Sequence, residues 1–166
     1  MLSEKVVVTA KDFLYNEILT RTKLNTFNWN AQYSAASVVA EIIWKMAIGR
    51  ESQRAWQQLD RLFSPSAVAT HANFRGCLDY KTGNLPQKGA IAVWRRGNSW
   101  QGDIAIVIDV SEDKEMFDVV QGSILNGSSE VFLHVVERKG KKAYTEPRAD
   151  KMNLLGFIYP PDREIA

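Results

Sequence analysis

Three side chains carry chemistry beyond simple charge: a single cysteine, Cys77, and two histidines, His71 and His134. A thiolate or an imidazole needs partners at short spacing to act as nucleophile, base or metal ligand. The two histidines are far apart in the chain, and no H-x-x-x-H or C-x-x-C pattern occurs. A structural zinc site therefore has no support, and neither a metal nor another cofactor is expected. His71 falls in a helical segment and reads as an ordinary helix histidine. His134 sits in the strand-like run Phe132-Leu133-His134-Val135 and reads as a half-exposed strand position. Cys77 follows Gly76 at a helix end, where a small, partly buried filler is expected. The segment Gly97 to Gly102 has two glycines but lacks the Lys-Ser/Thr of a phosphate loop, so nucleotide binding is not indicated. Arg138-Lys139-Gly140-Lys141-Lys142 reads as a solvated hairpin turn. Trp94 and Trp100 flank the Arg95-Arg96 turn. Core packing accounts for Trp94, whereas an exposed Trp100 would suit contact with a glycan or a protein partner.

These residues must be positioned by helices in the first half and strands in the second. Val7, Ala10, Leu14 and Ile18 put one apolar face on a first helix. A second helix is expected from about Ser34 to Ala47, with a broad stripe of Ala35, Val38, Val39, Ile42, Ile43 and Met46, ended by Gly49. Ser64-Pro65-Ser66-Ala67 reads as a helix start with Ser64 as cap and Pro65 in the first turn, running to Arg75-Gly76. After Pro86 the pattern becomes that of strands: Ala90 to Trp94, Ile104 to Val110, Met116 to Val120, Val131 to Val136 and Leu154 to Tyr159. Turn-like segments separate them at Arg95 to Ser99, Ser111 to Lys114 and Arg138 to Lys141. Helices followed by an antiparallel meander argue an α+β fold.

The chain has 166 residues, 45% of them hydrophobic, which suits one domain over residues 1–166 with a single core. With 21 basic and 19 acidic residues the formal charge is +2. That excess gives no argument for nucleic acid or for an anionic membrane. One cysteine cannot form an internal disulfide, so no oxidising compartment is required. The Val6-Val7-Val8 run is too short for a signal-peptide core, and no stretch approaches the ~20 apolar residues of a membrane span. Cytoplasmic synthesis is expected, followed by assembly into a particle or release by lysis.

The order of elements, together with several short motifs, resembles the papain-like CHAP/NlpC cell-wall hydrolases. Tyr33-Ser34-Ala35-Ala36-Ser37-Val38 is similar to the family's Y-C-A-A-F-V, which opens the nucleophile helix. Pro86-Gln87-Lys88-Gly89-Ala90-Ile91-Ala92-Val93-Trp94 is similar to P-x-x-G-D-I-V-V-W, and Gly102-Asp103-Ile104-Ala105-Ile106-Val107 to G-H-V-G-I-V. Val120-Gln121-Gly122-Ser123 echoes I-E-G-N, and Leu155-Gly156-Phe157-Ile158-Tyr159-Pro160 a closing G-F-I-x-P strand. The family-like core spans residues 29–160, preceded by a helix and lead-in over 1–28. The resemblance implies a papain-like fold with N-terminal helices on an antiparallel sheet. It also implies a site at Ser34, Asp103 and Ser123, with Tyr33, Trp94 and Trp100 as cleft candidates.

In that family a cysteine thiolate at a helix N-terminus attacks a peptidoglycan amide, and a histidine moves the proton. Here Ser34 stands at the cysteine position, Asp103 at the histidine position and Ser123 near the orienting asparagine. A hydroxyl needs a strong positioned base, and a carboxylate with a pKa near ~4 is a poor one at neutral pH. Losing both nucleophile and base removes triad catalysis on the order of 10⁶-fold in a worked protease case. A serine for cysteine alone could be an introduced inactivation, which would leave an active amidase or endopeptidase underneath. Asp103 is not a replacement of that kind. The pair of departures implies a pseudoenzyme serving as a structural or binding module for peptidoglycan or a protein partner, such as a phage structural protein. No nucleic acid and no membrane is expected.

Overall fold

The computed structural model describes residues 1–15, 35–50, 52–125, 128–137 and 152–163. Their architecture is α+β, with four helices on one face of a fully antiparallel sheet. Helix α1 (Leu2–Tyr15) buries Leu2, Val6, Ala10 and Phe13. This stripe is rotated from the expected one: Ala10 is shared, but Val7 and Leu14 are only half-buried. Spacings of three and four fit either stripe. The sheet selects the face that carries Phe13. Ile18 lies outside the described residues.

Helix α2 (Ala35–Trp44) continues into a π turn, Lys45–Gly49. Every residue from Ala36 to Trp44 is buried, including Ser37 and Glu41. A helix apolar on nearly all sides belongs at the centre of a domain, and α2 packs on α1 and on the sheet. Helix α3 (Gln53–Leu62) had no expectation in the sequence. Ser52 caps it, accepting the Ala55 N–H at 3.1 Å, and only Ala55 and Leu59 are fully buried. Helix α4 (Ala67–Arg75) starts two residues later than expected. Ser66, not Ser64, is the cap, accepting the Ala69 N–H at 3.2 Å. Ser64 instead accepts the Ser66 N–H at 3.2 Å, and the buried Thr70 hydroxyl accepts the Ser64 N–H at 2.9 Å. Pro65 thus lies in a tied-down lead-in, outside the helix.

The strands are β1 (Thr82–Gly83), β2 (Ile91–Arg96), β3 (Gly102–Val110), β4 (Met116–Leu125), β5 (Ser128–Glu137) and β6 (Met152–Ile158). Their order is β1-β6-β2-β3-β4-β5. β4 and β5 run several residues beyond the apolar runs that mark them in the sequence, because they pair with each other from Met116↔Glu137 to Leu125↔Ser128. Strand side chains alternate between faces. Ile91, Val93, Ile104, Ile106, Ile108, Val120 and Ile158 join the helices in one core. Ala92, Trp94, Ala105, Val107, Phe117, Val119 and Phe157 form a second buried layer on the other face. Burial on both faces explains why β2 and β3 read as continuous apolar runs.

Gly89 fixes how the layers meet. The Ala90 N–H returns to Gln87 O at 3.1 Å, and Gly89 has φ +83°, as the third residue of a type II turn requires. Its N–H reaches Val107 O at 2.8 Å, and its own carbonyl accepts the Trp44 indole N–H at 3.2 Å. The C-terminal end of α2 is therefore anchored at the Val107 end of β3. No helix among the described residues is long and apolar enough to cross a membrane.

Candidate functional site

The other end of α2 meets the start of β3. The Ser37 hydroxyl, in the first turn of α2, donates to Pro65 O at 3.5 Å. The next residue, Ser66, donates from its hydroxyl to Trp100 O at 3.3 Å. A Cβ placed on Gly102 would run into the Trp94 carbonyl and press on Val68 at 3.2 Å and Ala67 at 3.4 Å. Only glycine lets the first turn of α4 sit this close to the sheet. The N-terminal ends of α2 and α4 and the β2–β3 turn thus converge at one end of the molecule, where β3 delivers Asp103.

Asp103 is half-buried, and its Oδ1 accepts the Ile104 N–H at 2.9 Å. It is the cross-strand partner of Trp94, and it alternates in phase with Ala105 and Val107, whose layer is the one opposite the helices. Trp94 is 1% exposed, so it belongs to that layer and offers no surface to a ligand. Trp100, in contrast, is 73% exposed. Its turn is held from within: Arg95 donates from Nε to Ser99 O at 2.8 Å and from Nη2 to Asn98 O at 2.7 Å, and the Arg96 N–H reaches Gln101 O at 2.9 Å. Arg95 is therefore occupied in shaping the turn that presents the Trp100 ring.

Ser123 lies on β4, where its backbone pairs with Glu130. The β3–β4 ladder includes Ile106↔Val120. That ladder runs from there toward Val110↔Phe117, and Ser123 is not among its paired residues. Tyr33 and Ser34 lie outside the described residues, and so does any cleft between Ser34 and Asp103. The basic cluster at 138–142 also lies outside them.

The remaining reactive side chains are elsewhere. His71 points from α4 to the β6 side of the sheet: a Cβ on Gly156 would lie 3.6 Å from its Nε2. Burial is the main cause that lowers its pKa from the ordinary 6.5, and the Arg75 charge adds to it. Cys77 follows the opposite end of α4 from Ser66, half-buried against the core. Its N–H donates to Phe74 O at 3.0 Å.

Sequence reasoning missed one charged cluster. Lys45, in the π turn, is 4% exposed and ion-paired with Glu41 at 3.0 Å and with Asp60. Its ammonium also lies 5.2 Å from the centre of the Trp56 ring. Burial raises the Glu41 pKa above its ordinary 4.5, and the Lys45 hydrogen bond and charge oppose that rise. The signal was the i, i+4 spacing of Glu41 and Lys45 inside an apolar stripe. Asp60 joins from α3, which the sequence did not announce. Among the described residues no three His, Cys, Asp or Glu side chains are grouped as metal ligands. No family model matches this chain, and no curated protein and no solved structure does either.

Proposed function

We propose that this chain is a catalytically degenerate CHAP/NlpC-like domain with a papain-like fold, which binds peptidoglycan or a protein partner without cleaving it. The observation that carries the reading is the placement of α2. Its anchored C-terminal end lies by Gly89 and Val107, so its N-terminal end lies with Ser37 at the sheet end where β3 presents Asp103. A nucleophile helix needs that polarity, while Asp103, in phase with Ala105 and Val107, lies on the sheet face away from the helices and so is not set to act as a base toward α2. The chemistry at those positions is a hydroxyl and a carboxylate, which cannot generate a thiolate–imidazolium pair. The exposed Trp100 at this end supplies a flat apolar face of the kind that stacks on a sugar ring or anchors a protein interface.

The test is cosedimentation with insoluble peptidoglycan alongside an assay for released peptides and amines. The chain should cosediment without releasing either, and Trp100→Ala should weaken retention by about tenfold, the ordinary scale of one interfacial aromatic anchor. Ser34→Cys should not restore release, alone or together with Asp103→His, because position 103 shares the face of Ala105 and Val107, away from the helices. Robust turnover by the unmodified chain, abolished by Ser34→Ala, would overturn the reading in favour of an active hydrolase. Retention unaffected by Trp100→Ala would remove Trp100 from the binding surface.

A further inference from the structure

A cavity of about 870 Å³ lies between α1 and the π turn, and the reading of the Ser37–Asp103 end leaves it without a role. Its wall is aliphatic: Leu2 and Val8 come from α1, and Met46, Ala47 and Ile48 from the π turn. Val8 is 58% exposed on this wall, apolar surface that a ligand would take out of water. Met46 adds an unbranched thioether that adapts to irregular shapes. π turns recur at functional sites, and this one supplies most of the wall. The charged side chains at the rim have little left to offer a ligand. Glu4 lies 3.4 Å from the terminal ammonium, Arg54 lies 3.7 Å from Asp79, and Lys5 is engaged as well. Arg50 is exposed and keeps its hydration. What stands unengaged at the rim is neutral. The Gln53 amide, in the first turn of α3, is exposed and makes no hydrogen bond among the described residues. Ser52 beside it accepts the Ala55 N–H, which leaves its own O–H available as a donor.

We propose that this cavity binds a small neutral molecule, an aliphatic chain that ends in an uncharged hydrogen-bonding head such as a hydroxyl. The wall takes the chain, and the Gln53 amide, with the Ser52 hydroxyl beside it, takes the head. An amide and a hydroxyl both donate and accept, so they suit a head that does the same. The volume falls in the range of about 300–1,000 Å³ that small-molecule sites occupy. An ionised head would leave water for a rim whose described charges are already paired or solvated, and that desolvation opposes binding. A head without a chain would leave the wall wet. This inference is independent of the chemistry at Asp103.

The probe is 1-octanol, titrated into the full chain below its solubility limit and followed by amide NMR shifts. Octanoate and octylammonium carry the same chain on a charged head, and ethanol carries the head with almost no chain. Octanol should saturate with shifts confined to α1, the π turn and the start of α3. The two ions and ethanol should each bind at least about tenfold more weakly, the ions through desolvation and ethanol through lost apolar contact. Val8→Glu should weaken octanol by about tenfold or more by charging the wall. Gln53→Ala should weaken it by about fivefold, the scale of one neutral hydrogen bond. Both positions are exposed, and a thermal melt of each variant checks that the fold is retained; Val8→Gln serves if the charge is not tolerated. The proposal fails if octanol does not saturate, if either ion or ethanol binds as tightly, or if the substitutions at Val8 and Gln53 leave affinity unchanged.

Discussion

Tyr80 shows what a single polar atom does in this core. The side chain is 4% exposed and packs in an aromatic cluster with Trp44, Phe63 and Phe74, with Phe74 edge-on at 5.0 Å between ring centres. Its hydroxyl is buried without a hydrogen-bond partner among the described residues. Burial, reinforced by Cys77 and Asp79, raises its pKa, so the phenol stays neutral throughout ordinary pH. A neutral but unsatisfied hydroxyl still forfeits its hydration, which costs about 1–3 kcal/mol. The ring contacts do not need it. Tyr80→Phe should therefore raise stability by about 1 kcal/mol, read as a higher urea midpoint at unchanged slope. A loss of that size would mean that the hydroxyl has a partner. Nothing in the sequence separated Tyr80 from any other core aromatic, because satisfaction of a hydroxyl is decided by neighbours far along the chain. Cys77 was legible by contrast, since its place after a helix end already set a half-buried filler.

At the scale of elements, Gly89 concentrates the dependence of the fold on one backbone conformation. A Cβ there would lie 2.8 Å from Ser3 O and 2.9 Å from Ser3 Cα, in a residue with φ +83°. The obstruction is the backbone of α1, which cannot swing aside as a side chain would. Gly89→Ala must distort the type II turn, lift α1, or both, and it threatens the Trp44 indole bond to the same residue. The expected cost is about 3 kcal/mol, the left-handed penalty plus displaced packing, measured by urea denaturation. A cost below about 1 kcal/mol would show that α1 does not rest on this turn. The sequence marked the strand that follows the glycine, because its apolar run fixes it, but not the type II turn at Gly89 or β1 before it. It also marked the α2 stripe and the Gly49 stop. It did not mark α3, whose interior face is little more than Ala55 and Leu59. It misplaced the α4 cap because Ser64 and Ser66 are equally good caps in isolation. Thr70 decides between them by holding the Ser64 backbone. The apolar run of β3 was legible, but the opposition of Asp103 to Trp94 across the β2–β3 ladder is a matter of register that no local pattern states.

For the whole molecule, the buried Glu41 and the half-buried His71 pull the stability in opposite directions with pH. Glu41 has a raised pKa in the fold, so above its unfolded value of 4.5 the folded state holds a proton that the unfolded chain has released. Stability linked to Glu41 is therefore complete below 4.5 and is lost as pH rises through the raised value. Lys45 and Asp60 are the charges that face it; Lys45 limits the loss and Asp60 adds to it. His71 has a lowered pKa, so below its unfolded 6.5 the unfolded chain takes up a proton that the folded state declines. Stability linked to His71 is present above 6.5 and is lost as pH falls through the lowered value. Both effects arise from the same layered burial, one under α2 and one under α4, on groups far apart in the sequence. The two limbs run in opposite directions with pH. Each substitution should uncover the opposing limb. Glu41→Gln should gain on the unmodified chain as pH rises above 4.5, whatever its absolute stability, because a neutral amide has no proton to lose. His71→Gln should gain on it as pH falls below 6.5. Urea unfolding of the three proteins from about pH 4 to about pH 8 measures the differences directly. Difference curves that stay level with pH would mean that neither group titrates differently in the fold, and that α2 and α4 do not close off Glu41 and His71 as the packing requires.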